Sequence, residues 1–274
     1  MNRLPTLFLS HGAPSFALEP GIAGPRLAAL GRAQPRPEAV LVVSPQWMTP
    51  LARVGTTARP GTIHDFGGFA PALYEIDYPA IGHPELAQRT IDVLRDAGWR
   101  TEPDERRGLD HGAWVPMLHL YPRADVPVFQ VSLPSALDSD SAWAFGEALA
   151  PLATAGVLIV GSGSLTHNLY EFRAGHGREE AYVAEFSAWI REAVLSGDAQ
   201  RLRQALTLAP HAKRAHSSSE HFLPLLVAAG AAGASLPAKV VEGGVTHGVL
   251  SMDSFVFGDM PLADTARTEH EAAA

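Results

Sequence analysis

The sequence predicts a single-domain α/β sandwich, with a central mostly parallel or mixed sheet flanked by helices. Three observations lead there. Short, unbroken apolar runs recur along the 274 residues, as they do in strands covered on both faces. Amphipathic stretches of helical period lie between them. No linker-like segment or internal repeat divides the chain.

The elements follow in order. Thr6–Leu9 and Ala39–Val43 are the first strands, with Arg53–Thr57 a weaker one. Pro84–Ala97 reads as a helix carrying Leu86, Ala87, Ile91 and Leu94 on one stripe before a stop at Gly98. Val126–Val131 is a strand, followed by a helix over Asp140–Ala153 behind a Ser/Asp cluster suited to capping. Val157–Val160 is the next strand. Glu179–Leu195 places Tyr182, Val183, Phe186, Trp189 and Ile190 on one helical stripe and ends before Gly197. Glu220–Ala229 is a shorter, Ala-rich helix with Pro224 tolerated near its first turn. Val240–Val241 and Val249–Phe257 complete the sheet. The catalytic domain is taken as residues 1–258, with 259–274 expected to be a flexible tail.

Composition narrows the function. Apolar residues make up 46% of the chain, enough for a sizeable core. The net charge is −8 and no basic cluster is present, which argues against nucleic acid as a partner. Cysteine is absent, so disulfides, thiolate zinc sites and Cys nucleophiles are excluded. Leu7–Leu9 is too short for a signal-peptide core, and the uncharged stretch Phe222–Ala238 is interrupted by Pro224, Gly230, Gly233 and Pro237. The expectation is a soluble, cytoplasmic protein acting on a small molecule. Gly161-Ser162-Gly163-Ser164 lacks both the G-x-S-x-G elbow of serine hydrolases and the spacing of a dinucleotide loop.

Twelve histidines are the outlier, and their positions matter more than their number. Three strand runs end in polar residues at the same relative place: Ser10-His11-Gly12, Ser44-Pro45-Gln46-Trp47, and Gly161-Ser162-Gly163 leading to Thr166-His167-Asn168. Ligands of open α/β sheets bind outside the carboxyl ends of strands, so His11 and His167 are placed to face one crevice. His221, at the opening of the Glu220 helix, is placed to converge on it. Imidazole is the commonest transition-metal ligand, and about three ligands leave room for substrate. Separate loop histidines satisfied by backbone or water would give the same spacing. His64-Asp65-Phe66-Gly67-Gly68-Phe69 is either a loop closing over an aromatic ligand or a turn with both rings in the core. Asp110 suits a helix N-cap with His111 in the first turn, where the helix dipole favours the neutral imidazole. Trp47 and Trp114 are either pocket lining or ordinary core. His83 falls in a loop, His119 in the core, and His176, His211 and His270 on the surface; His216 and His247 stay open.

Taken together, several strings resemble the class III extradiol ring-cleavage dioxygenases, in the 4,5-DOPA dioxygenase-like branch. They are Leu9–Pro14, His64–Phe69, Leu109–Trp114, Gly163–Leu169, Glu220–Leu225 and Leu250-Ser251-Met252 ahead of Phe255–Gly258. Each string alone is weak; their order and spacing across the chain are specific. The resemblance implies a mononuclear non-haem site, with Fe(II) for activity and Zn(II) as a possible bound ion. It implies His11 and His221 as metal ligands, and His167 as acid/base or additional ligand. His111 would act on substrate or oxygen, and a small aromatic diol and O2 would be the reactants. His64, Phe66 and Phe69 are the expected substrate-binding residues. One departure matters most: the family usually reads Ser-Ala-His-Trp, its His a metal ligand, where this chain has Ser44-Pro45-Gln46-Trp47. Gln46 could ligate through its amide oxygen, a water could take the place, His64 could swing in, or metal affinity could be lost. A metal-dependent hydrolase and a catalytically silent aromatic-binding protein are therefore the rival readings.

Overall fold

Val40, Leu41, Val42 and Val43 are fully buried, as an unbroken apolar run must be when both faces of its sheet are covered. The computed structural model describes residues 3–175, 178–233 and 237–259. Its strands are β1 (Thr6–Ser10), β2 (Ala39–Thr49), β3 (Ala52–Gly55), β4 (Thr101–Asp104), β5 (Val128–Pro134), β6 (Val157–Gly163), β7 (Ala238–Val241), β8 (Val245–Thr246), β9 (Leu250–Ser251) and β10 (Ser254–Phe257). Eight of them form one mixed sheet in the order β4-β3-β5-β2-β6-β1-β10-β7, and β8 with β9 form a small separate ribbon. The centre, β5-β2-β6-β1, is parallel, while β10 joins β1 and β7 joins β10 in antiparallel fashion.

Side chains alternate across the sheet with the two-residue period of a strand. Along β2, Ala39, Leu41 and Val43 enter one apolar cluster and Val40 and Val42 the other. The first cluster lies under the helices Pro84–Asp96, Ser139–Leu149, Ala181–Leu195 and Leu223–Ala232; the second lies under Ala23–Ala33 and His111–Leu120. The single α/β sandwich is as the sequence predicts.

Several boundaries differ from expectation, each for a local reason. The helix expected over Asp140–Ala153 is two, Ser139–Leu149 and Pro151–Thr154, because Pro151 restarts the chain at a helix first turn. Asp138 and Ser141 form a capping box at the first of them. The helix expected over Glu220–Ala229 spans Leu223–Ala232, with Pro224 in its first turn, so His221 precedes it in a turn. Val249–Phe257 is broken into β9 and β10 because buried Asp253 turns inward, where its carboxylate pairs with Arg191 and accepts the Gly243 N–H. The helix Ala23–Ala33 was not evident in the apolar pattern. Apart from Asp259, the expected tail lies outside the described residues. No described helix is long and apolar enough to cross a membrane.

The helix Leu223–Ala232 lies so close to β6 that a Cβ at Gly161 would sit 2.0 Å from the Pro224 carbonyl oxygen. Neither backbone can retreat without unpacking the sheet. Gly161→Val should therefore destabilise the protein by about 1–3 kcal/mol through overpacking, measured by urea unfolding. Gly61→Ala, at a glycine with no atom within 4 Å of the added carbon, should stay within about 0.5 kcal/mol of the parent.

Candidate metal centre and its aromatic approach

The carboxyl ends of β1, β2 and β6 lie side by side, and the polar residues that end these strands meet there. His11 leaves β1 with its N–H on the Gly163 carbonyl at 2.9 Å, and Gly12 turns the chain away at a φ of +61°. His11 is 1% exposed, and its Nδ1 lies 2.9 Å from the Ser162 hydroxyl. That hydroxyl spends its only proton on the Gly112 carbonyl. It must therefore accept from His11, which puts the imidazole proton on Nδ1 and leaves a lone pair on Nε2. Nε2 is buried and has no hydrogen-bond partner.

His221 approaches from the turn before its helix. Its Nδ1 faces Glu220 Oε1 at 3.3 Å, and its Nε2 lies 3.1 Å from the Gln46 amide nitrogen. The His11 and His221 rings are 5.6 Å apart between centroids, and the His11 and His111 rings 5.5 Å. His111 opens the helix His111–Leu120, capped by Asp110, whose carboxylate accepts the Ala113 N–H. Asp65 Oδ1 accepts both the backbone N–H and Nδ1 of His111, each at 3.0 Å. Burial opposes the charge on Asp65, yet the His111 hydrogen bonds and charge together lower its pKa.

His167 arrives differently. Its ring stacks face to face on His221, with centroids 3.5 Å apart and planes within 9°. Lone pairs lying in two parallel planes do not converge on one point, so His167 and His221 do not share an ion in this conformation. Of the four metal candidates, His11 lies 5.6 Å from His221 at a tilt of 59°, Gln46 reaches His221 Nε2, and His167 stands alongside as a stacked neighbour. The nitrogen and oxygen atoms of His167, Glu220 and His221 nevertheless lie within 4.8 Å of one another.

Burial lowers the pKa of His11 well below its usual value, and nearby His111, His221 and His167 lower it further. Burial, then His221 and His216, push His167 to about 3. Burial also lowers His221, against the opposing effect of Glu220, and takes His216 to about 4. The Glu220 carboxylate is held at about 2, chiefly by its hydrogen bond to His221, despite partial burial. The pocket thus presents neutral imidazoles oriented by ionised carboxylates, the arrangement that prepares histidine for a metal.

An aromatic wall adjoins these nitrogens. The Phe66 ring contacts His111 at 5.8 Å, Tyr74 at 5.1 Å, Phe69 at 5.6 Å and Trp114 at 6.4 Å between centroids. The 64–69 segment is therefore a loop beside the site, only partly buried. His64 belongs to the same wall, 5.8 Å from Phe66 and Trp114, with Nε2 on the Ile76 carbonyl at 3.0 Å. That anchor ties it to the wall. Phe69 packs with Phe172 against Ala13, Val249 and Leu250. Trp114 is core, its indole N–H on the Ile63 carbonyl, and buried Trp47 lies 4.8 Å beneath the Arg107 guanidinium.

The remaining histidines have structural work. His83 caps the helix Pro84–Asp96, and half-buried His119 hydrogen-bonds the Phe16 carbonyl. His211 is exposed and pairs with Glu185, buried His216 reaches the Leu165 carbonyl, and His247 is exposed. His176 and His270 lie outside the described residues. Sequence reasoning passed over Ser162, Glu220 and Tyr74, which belong to the site. Only Glu220 had a sequence signal, as the carboxylate next to a candidate ligand.

The chain's residues 22–258 match the model of the catalytic LigB subunit of aromatic ring-opening dioxygenase. A protein of Beta vulgaris named 4,5-DOPA dioxygenase extradiol is 39% identical over 92% of this chain and 96% of its own. One of the same name from Escherichia coli K12 is 36% identical over 94% and 96%. The crystal structure of uncharacterized protein JW3007 from Escherichia coli K12 superposes with a TM-score of 0.77 at 30% identity, covering 93% of this chain and all of the other. The fold, the strand-end histidines and these likenesses agree: the chain belongs to the LigB family of class III extradiol dioxygenases, which depend on a non-haem metal. The donors fit such an ion: buried His11 Nε2 holds a lone pair with no hydrogen bond to lose, and it lies in one cluster with His221.

These pKa values bear on stability with a definite sign. His11, His167, His216 and His221 are held neutral when folded, but take up protons near pH 6.5 when unfolded. Their contribution is full above about pH 6.5 and is lost as pH falls towards the folded values, about 4 for His216 and about 3 for His167. The urea midpoint of the metal-free protein should be flat above pH 7 and fall steadily from there to pH 4.5. His216→Asn should make the fall shallower. A midpoint independent of pH across that interval contradicts the burial of neutral imidazoles.

Proposed function

We propose that this chain is an extradiol dioxygenase that opens the ring of a catechol-type aromatic substrate beside its two hydroxyls, with both atoms of O2 entering a ring-opened semialdehyde. The catalytic unit is residues 1–258. The observation that carries the reading is the partnerless His11 Nε2 within an imidazole cluster that touches an aromatic wall. His11 and His221 are the imidazole ligands, and Gln46 stands where a third ligand is usual. Fe(II) is the ion for the reaction and Zn(II) its alternative occupant, since imidazole suits both. When bound, the ion holds diol and dioxygen together and lets charge pass between them.

The residues around it divide the remaining work. Phe66, Phe69 and His64 line the approach and give an aromatic ring a stacking surface, with Tyr74 at its outer edge. His167 is neutral at working pH, so its lone pair can take a proton from a substrate hydroxyl. Stacking on His221 holds it at the ligand's side, and the Glu220 carboxylate offsets the charge it gains. His111 is held at Nδ1 by Asp65, which fixes its ring beside His11 and Phe66. From there it acts on substrate or oxygen, where a hydrogen bond to developing negative charge lowers the barrier.

The test is oxygen uptake with a panel of catechols, together with the absorbance of a ring-opened product. His167→Ala should lower turnover by about 100-fold or more while metal content stays near that of the parent. His11→Ala should lose both. Hydrolysis of amides or esters without oxygen uptake would favour the hydrolase, and absence of stoichiometric metal from protein purified without chelators would favour the silent binder.

A further inference from the structure

Gln46 stands where the family pattern usually has a histidine, and its surroundings are built around the replacement. Ser44, fully buried on the same strand, has one hydroxyl proton and two acceptors in reach: the Gln46 amide oxygen and Asp110 Oδ1, the latter at 3.1 Å. The Ser44 oxygen also accepts the Gln46 backbone N–H at 3.2 Å. Asp110 is fully buried and kept in place by Arg107 at 2.6 Å and by the Gln130 amide at 2.8 Å. Gln130 in turn accepts the Asp110 N–H at 3.0 Å. Gly112 leaves the space in which Ser44 and Gln46 meet, since a Cβ there would come within 2.2 Å of both side chains. The Gln46 amide is thus fixed at one end by a hydroxyl that can reverse its role, and at the other it covers His221 Nε2.

We propose that Gln46 is a two-position amide latch over the metal centre. In the metal-free protein its N–H caps the lone pair of His221 and its oxygen accepts from Ser44. On metal binding the amide turns over about its Cγ–Cδ bond, presenting oxygen to the ion and N–H to Ser44. The Ser44 hydroxyl then turns to donate to Asp110 Oδ1, already 3.1 Å away and held in place by Arg107. Every polar group has a partner in both positions, so the turn leaves none buried and unsatisfied. Histidine would need no such turn; the glutamine couples metal uptake to the Ser44–Asp110 pair. Ser44 is then a positioning residue for this centre.

This inference rests on the metal site proposed above, and the experiment separates the two. Protein carrying 15N-labelled glutamine is titrated with Zn2+, following the histidine ring resonances and the Gln46 side-chain amide, the latter assigned by its loss in Gln46→His. In parallel, Zn2+ affinity is measured by competition with a chromophoric chelator. The latch predicts that the Gln46 amide signal shifts in step with the rings. Ser44→Ala should weaken Zn2+ by about 10–100-fold, the usual effect of removing a group that orients a ligand. Ser44→Thr, which keeps the hydroxyl, should restore most of it, and Gln46→His should bind more tightly than the parent. If the rings respond while the Gln46 amide is unmoved and Ser44→Ala binds as the parent does, the latch is wrong and the metal site stands. If no ring responds and no Zn2+ is retained, the site itself is wrong and the latch falls with it.

Discussion

A buried imidazole nitrogen with a lone pair and no partner is costly, and this fold goes to some length to make one at His11. The chain of hydrogen bonds from His11 Nδ1 through Ser162 to the Gly112 carbonyl admits one direction only. It pins the tautomer, and with it the direction in which the lone pair points. That chain joins β1, β6 and the helix His111–Leu120, so the tautomer of His11 depends on three elements keeping their register. Much of the surrounding structure serves this requirement: the parallel pairing of β1 and β6, the tight passage at Gly163 beside the His221 carbonyl, and the turn at Gly12.

Electrostatics extends the same design. Four imidazoles crowded into one buried region cannot all hold protons, and desolvation with mutual repulsion keeps them neutral. Two carboxylates hold rings of this region at Nδ1, Glu220 on His221 and Asp65 on neighbouring His111. There they orient the rings without competing for the place of an ion. His167 is set apart by its geometry, since a ring stacked flat on a ligand is poorly aimed to be another ligand and well placed to move a proton beside one. Ring orientation thus distinguishes residues of one chemical type.

How much was legible depended on the range of the interaction involved. The buried strands announced themselves, because an apolar run such as Ala39–Val43 has no other stable place. His11, His111, His167 and His221 could be proposed because each lies just past a strand or at or just before the start of a helix, and strand ends of a parallel sheet share one edge. The 64–69 loop stood equally open to core and pocket readings, since two phenylalanines beside two glycines suit either. In the structure Phe66 touches His111 and also packs on the second core cluster. The expected start of the His221 helix was early by a few residues, because Pro224 sets the first turn while local composition leaves the boundary free.

The sequence by itself determined the alternation of strands and helices, the residue types available for a metal, and the presence of a glutamine where relatives of this kind usually have histidine. All of these follow from local periodicity or from side-chain chemistry that does not depend on surroundings. Only the tertiary structure decided which nitrogen of His11 keeps its lone pair, that His167 lies flat against His221, and that Ser44 and Asp110 stand behind Gln46. Those are matters of orientation and proton placement between groups far apart in the chain. They are set by packing at distances of a few ångströms, which spacing along a sequence does not encode.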